Sequence, residues 1–162
     1  MKKVGIVMGS DSDLPVAEKA VNTLKELGVP CEVHVYSAHR TPVEAAEFSR
    51  TARDKGFGAI IAFAGKAAHL AGALAANTTL PVIGVPVKSS NLDGIDALLS
   101  TVQMPSGIPV ATVAIDGAVN AALLSCQMLA IEDGELADKL QAKREADAKK
   151  VIEKDAAISA RF

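Results

Sequence analysis

The chain has 162 residues, 49% of them hydrophobic, with a formal net charge of −2 and only 3% aromatic residues. That is enough apolar material for one globular domain with a sizeable core, and too much for a disordered chain. The absence of Trp, the single Tyr and the lack of a basic cluster argue against stacking platforms for bases or flavins, and against nucleic acid as a partner.

Val4–Met8 is a continuous apolar run of strand length, as expected for a strand buried on both faces of a parallel sheet. Coming after Met1-Lys2-Lys3 it imitates the start of a signal peptide, but it is too short and Asp11 and Asp13 close it. Gly9–Asp13 is a tight polar turn, with Ser12 or Asp13 able to cap the next helix. Leu14, Ala17, Ala20, Val21, Leu24 and Leu27 then recur at helical spacing, and Gly28 stops that helix. Cys31–Tyr36 alternates as a second strand. Ser37-Ala38-His39-Arg40-Thr41-Pro42 follows, with Thr41 as the expected N-cap, Pro42 at the first helical position and Glu44 completing a capping box.

The helix from Pro42 to about Lys55 is expected to turn Val43, Ala46, Phe48 and Ala52 inward and to stop at Gly56. Ala59–Ala76 is apolar enough for a membrane span, but Gly65 breaks it and Lys66 and His69 sit at its centre. It therefore reads as a strand (Ala59–Phe63), a small-residue turn (Ala64–Ala67) and a helix (Ala68–Ala76). A fourth strand is expected at Pro81–Val87, a loop at Lys88–Leu92, a helix at Asp93–Gln103, and a rigid turn at Met104–Pro109. Val110–Ile115 reads as a fifth strand and Ala118–Ala130 as a helix. A polar helix follows from Glu135 to about Lys154, its mixed charges marking a solvated face. Cys31 and Cys126 have no metal-ligand spacing and read as small core residues in a reducing compartment. A cytoplasmic protein without a membrane segment is expected.

Strands that alternate with helices five times call for right-handed crossovers and a parallel sheet covered on both faces. The expected fold is a flavodoxin-like three-layer α/β/α sandwich with five parallel strands and an extra C-terminal helix. It is expected to be one domain over residues 1–162, with a core to residue 131 and an extension over 132–162. Ligands bind such sheets outside the carboxyl ends of the strands. The turns at Gly9–Asp13, Ser37–Pro42 and Ala64–His69 all follow strands, so all three lie on that edge.

Gly9-Ser10-x-Ser12-Asp13 can cradle a phosphate or bind ribose hydroxyls through Asp13, or be no more than a capped turn. His39 has the side chain whose ordinary pKa lies near neutrality, and Arg40 beside it forks well onto phosphate. His34, on the same strand face as Glu32 and Tyr36, reads as surface or interface. His69 either packs in the interior or faces His39 across the strand ends, and Lys66 either meets a ligand carboxylate or extends into water. His39 and His69 lack carboxylate partners at ligand spacing, so no metal is expected.

Together, Gly9-Ser10-Asp11-Ser12-Asp13, Ser37-Ala38-His39-Arg40-Thr41-Pro42, Ala67-Ala68-His69-Leu70 and Met104-Pro105-Ser106-Gly107-Ile108-Pro109 closely resemble the N5-carboxyaminoimidazole ribonucleotide mutase family of purine biosynthesis. The likeness runs in order from about Lys3 to Gln127. It implies the fold reached above, a homo-octamer with active sites shared between subunits, and a reaction without ATP, metal or organic cofactor. The implied reaction moves a carboxylate from the exocyclic amine of the imidazole ribonucleotide to a ring carbon by loss and recapture of carbon dioxide. On that resemblance His39 is the general acid and base. Ser10 and Asp13 hold the ribose and phosphate region, and Ser37 and Arg40 grip the phosphate. Ala67, Ala68, His69 and Leu70 line the pocket that confines carbon dioxide, and Ala38, Gly65 and Lys66 complete the implied substrate-binding set.

Two positions depart from the family pattern: Lys66 replaces the second of two glycines, and Ala71 replaces a proline. A sister branch that carboxylates the aminoimidazole directly shares the first turn but usually lacks Ala-Ala-His-Leu. A receiver-type signalling module would need an Asp after the third strand, where this chain has Ala64-Gly65-Lys66. A flavodoxin-like electron carrier would need aromatics that are missing, and a purely structural module leaves His39 beside Arg40 unexplained.

Overall fold

A computed structural model describes residues 1–162. The apolar runs form five strands, β1 (Lys3–Met8), β2 (Cys31–Val35), β3 (Phe57–Gly65), β4 (Val82–Val87) and β5 (Ala111–Thr112). Between and after them come α1 (Leu14–Glu26), α2 (Pro42–Ala52), α3 (Leu70–Ala75), α4 (Ile95–Val102), α5 (Ala118–Ala130) and α6 (Gly134–Ser159). Short 3-10 turns at Asp11–Asp13 and Leu92–Gly94 lead into α1 and α4.

All strand pairs are parallel, in the order β2-β1-β3-β4-β5. Successive side chains of a strand point to opposite faces, so a strand covered on both sides reads as unbroken apolar sequence. Ile6, Ile61 and Phe63 face the layer of α1 and α5, and Val7, Ile60 and Ala62 face α2 and α3. The order reverses beside β1, where the chain winds outward to β2 on one side and to β3 on the other. That makes the carboxyl ends of β1, β2 and β3 the place for a ligand.

Several local expectations are corrected. Val43 is 71% exposed, and Ala45 and Ser49 join Phe48 and Ala52 on the buried face of α2 instead. Leu14 is likewise exposed. The capping box does not form, because the Thr41 hydroxyl turns back to Ser37, accepting from its N–H at 2.8 Å and donating to its carbonyl at 3.2 Å. A side-chain hydroxyl used to close the preceding turn is lost to the helix end. Neither Ser12 nor Asp13 caps α1; Ser10 instead accepts from Ser12 N–H at the 3-10 turn.

The fifth strand pairs only over Ala111–Thr112, since the chain bends away into a turn where Asp116 takes φ 56°. His34 is half-buried rather than a surface group: it stacks on Tyr36 at 5.2 Å between ring centroids and meets Phe48 at 5.0 Å. The burial of Cys126 pushes its thiol up to about 11, as suits an inert core residue. Cys31 is only half-buried.

Helix α6 is anchored by the fully buried Leu136, and Asp133 caps it by accepting from Leu136 N–H at 3.0 Å. From residue 144 to the end every residue is exposed. No helix is long and apolar enough to cross a membrane.

Candidate active site

Three turns close on one another at the switch point. Gly9 N–H donates to Phe63 carbonyl at 3.0 Å, continuing the β1–β3 ladder into the first turn. Within it the Ser10 hydroxyl accepts from Ser12 N–H at 3.3 Å and from the Ser12 hydroxyl at 3.0 Å. The second turn is held by the Ser37 hydroxyl, which accepts from His39 N–H at 3.3 Å and Arg40 N–H at 3.1 Å. Arg40 Nη2 then donates to Gly9 carbonyl at 3.3 Å and ties the second turn to the first.

The third turn leaves β3 through Gly65 and Lys66. Lys66 adopts φ 55°, a left-handed conformation that costs a non-glycine residue on the order of 1–2 kcal/mol. The turn brings His69 to His39: His39 Nε2 and His69 Nδ1 are 2.9 Å apart with the rings perpendicular. One of these nitrogens donates and the other accepts, so a single proton lies between the rings and sets the tautomer of each. Both rings are exposed to the cleft.

The cleft has a volume of about 670 Å³, within the range of small-molecule sites. Ser10, Asp13, Ser37, Ala38, His39, Arg40, Gly65, Lys66, Ala67, His69 and Leu70 all line it. Ala68 does not: it is 1% exposed and packs beneath the turn. Val87, Lys88 and Ser89 also line the cleft, beyond the strand-end and loop roles that their sequence predicts. The strand-to-helix alternation puts the end of β4 on the same edge, but only the strand order, with β4 beside β3, brings it to this cleft. A larger cavity of about 1020 Å³ lies at the amino ends of β4 and β5, among Arg50, Arg53, Thr79 and Ile108. It contains neither the histidine pair nor the strand-end turns, so the chemistry is assigned to the smaller cleft.

Asp13 is 7% exposed, and its carboxyl is held above the ordinary value of 3.8. Burial is the main cause; a backbone hydrogen bond from Ser10 opposes it, and Asp11 and Asp116 add repulsion. An acid whose pKa rises on folding binds its proton more tightly in the native state. Its ionisation therefore weakens the fold as pH climbs from 3.8 through the raised value, and the penalty persists above it. Asp13→Asn is expected to gain stability relative to the parent chain at pH 7, with the gain vanishing below pH 3.8. Urea denaturation of both chains across that range measures it, and a gain independent of pH would contradict the assignment.

The AIR carboxylase family model matches residues 3–150. An N5-carboxyaminoimidazole ribonucleotide mutase of Pyrococcus horikoshii is 57% identical over 151 residues, covering 93% of this chain and 85% of the relative. The Bacillus subtilis protein of the same description is 55% identical over 152 residues, covering 93% and 94%. The crystal structure of Treponema denticola PurE superposes with a TM-score of 0.85 at 32% identity, covering 94% of this chain and 96% of that one. The family model and these likenesses run along almost the whole length of the chain, which belongs to the AIR carboxylase family.

Proposed function

We propose that the protein is the isomerase of purine biosynthesis that converts N5-carboxyaminoimidazole ribonucleotide to 4-carboxy-5-aminoimidazole ribonucleotide, with His39 as its general acid and base. The observation that carries this reading is the His39–His69 pair at 2.9 Å, set between the Arg40 turn and the Lys66 turn. Relatives above 50% identity carry the mutase description.

In this reading Ser37 and Arg40, with the backbone N–H groups at the start of α2, hold the phosphate. Ser10 and Asp13 hold the ribose side. The carbamate N–C bond breaks, its electron pair stays on nitrogen, and His39 delivers the proton that nitrogen takes up. Carbon dioxide remains confined beside Ala67, His69 and Leu70. The neighbouring ring carbon attacks it, the new carbon–carbon bond forms, and His39 takes the proton from that carbon to restore the aromatic ring. Atoms and charge balance without ATP, metal or organic cofactor. Exclusion of water matters because escape of carbon dioxide ends the cycle unproductively.

We also infer a cytoplasmic enzyme that works as a homo-octamer with shared sites. Two features support this. Val151, Ile152, Ile158 and Phe162 lie exposed on or just beyond α6 without a packing partner. The turn containing Gly107, Ile108 and Pro109 lies at the opposite sheet edge from the cleft, so a role for it in the reaction would run through a neighbour's cleft. Light scattering is expected to give the octamer mass, and a monomer alone would overturn the shared-site reading.

The test of function is to supply N5-carboxyaminoimidazole ribonucleotide without ATP, beside aminoimidazole ribonucleotide with bicarbonate. Fast conversion of the carbamate is expected. Preference for the free amine with carbon dioxide would assign the direct carboxylation instead.

A further inference from the structure

Three cations reach the cleft from three turns: Arg40, Lys66 and Lys88. Two are already engaged within the protein. Arg40 Nη2 donates to Gly9 carbonyl at 3.3 Å, and Lys88 Nζ meets Asp93 Oδ1 at 3.1 Å. Lys66 is exposed and takes part in none of the chain's ion pairs. Its backbone is held at φ 55°, where glycine would sit without penalty. A strained residue with a free charge on the wall of a reaction cleft is the kind of feature that persists when the side chain contributes there.

We propose that Lys66 is the carboxylate-selecting residue of the cleft, its ammonium following the carboxylate that the reaction moves. This rests on the isomerase reading above and assigns a role within it. The placement follows from the sheet. β2 and β3 flank β1, so the Arg40 turn and the Lys66 turn leave strands two spacings, or about 10 Å, apart. His39 and His69 bridge that interval from either side. A ribonucleotide with its phosphate against Ser37 and Arg40 directs its reacting end toward the β3 side, where Lys66 stands three residues before His69. The exocyclic nitrogen and the ring carbon that exchange the carboxylate belong to adjacent ring positions, within the sweep of one flexible ammonium. Both carboxylated isomers therefore gain from Lys66, whereas the bare aminoimidazole ribonucleotide, which has no carboxylate, gains nothing. The residue favours ligands of the isomerisation over the substrate of direct carboxylation.

The test compares the intact protein with Lys66→Met, Lys66→Gly and Lys66→Arg. The Met variant removes the charge and keeps the strained side chain; the Gly variant removes both; the Arg variant keeps the charge. Dissociation constants for 4-carboxy-5-aminoimidazole ribonucleotide and for aminoimidazole ribonucleotide are measured by calorimetry, with KM and kcat for the carbamate alongside. Loss of the charge is expected to weaken the carboxylated ligand and raise KM about tenfold in both Met and Gly variants. The bare amine should change by less than about twofold, and Arg should retain most of the selectivity. Equal losses for both ligands would reduce Lys66 to a structural or phosphate role and overturn the proposal. So would a Gly variant that gains turnover while Met does not, since the side chain would then only strain the loop. If the intact protein binds neither carboxylated isomer, the isomerase reading itself fails and this assignment fails with it. Intact turnover with unselective losses removes the Lys66 assignment alone.

Discussion

His39→Asn is expected to bind the ribonucleotide and to isomerise it about 10²–10⁴-fold more slowly than the parent chain, the usual worth of a positioned acid–base group. Asparagine keeps a polar, uncharged group on the Ser37–Thr41 turn, although its amide stops short of the Nε2 position that meets His69. It cannot accept and return a proton near neutral pH, which is the property that imidazole brings. The loss should therefore fall on kcat, with the dissociation constant of the carboxylated product nearly unchanged. His69→Asn, which removes the ring that sets the His39 tautomer at 2.9 Å, should cost less than His39→Asn itself. Single-turnover conversion of the carbamate, read beside ligand binding, separates the two effects. A His39→Asn enzyme that kept more than a tenth of the parent rate would place the proton carrier elsewhere in the cleft.

Phe63→Ala should be the most damaging single truncation of the sheet. Phe63 is 0% exposed, lies opposite Met8 on β1 and Val85 on β4, and offers its carbonyl to Gly9 N–H at the start of the first active-site turn. Emptying such a position costs about 3–5 kcal/mol, because the neighbouring strands cannot collapse into the space. For a chain of this size that corresponds to a fall in Tm on the order of 10 °C. Phe63→Leu, which keeps most of the volume, should cost about 1.5 kcal/mol or less. Val43→Ala, at a site 71% exposed, should stay within about 0.5 kcal/mol. Denaturation at one fixed protein concentration compares all three. A Phe63→Ala loss no larger than that of Val43→Ala would contradict the packing described.

The split of the core between two faces also explains which elements are legible in the sequence. Val4–Met8 and Ala59–Phe63 were legible as buried parallel strands because continuous apolar sequence is the local signature of a strand covered on both sides. β2 is less legible: it is an edge strand, α1 does not cover its outer part, and Val33 and Val35 remain 42% and 51% exposed despite their alternation. The inward face of α2 is not set by periodicity, because Val43 with Ala46 and Ala45 with Ser49 offer neighbouring stripes on either side of Phe48 and Ala52. The buried one, Ala45 with Phe48, Ser49 and Ala52, is chosen by the sheet it packs on.

What this sequence determined by itself was the strand–helix alternation and, through it, the edge on which its polar turns lie, because every strand-to-helix turn of a parallel sheet falls at the carboxyl end. That is why eleven of the twelve residues named for the site line one cleft, as Ala68 does not. The tertiary structure alone decided what depends on strand order and on side chains far apart in the chain. It placed β1 between β2 and β3, so that His39 and His69, thirty residues apart, come within a hydrogen bond. It brought Val87, Lys88 and Ser89 in from β4, and turned the Thr41 hydroxyl away from its helix to close the Ser37 turn. No local pattern encodes these outcomes, since each depends on which neighbour the packed sheet presents.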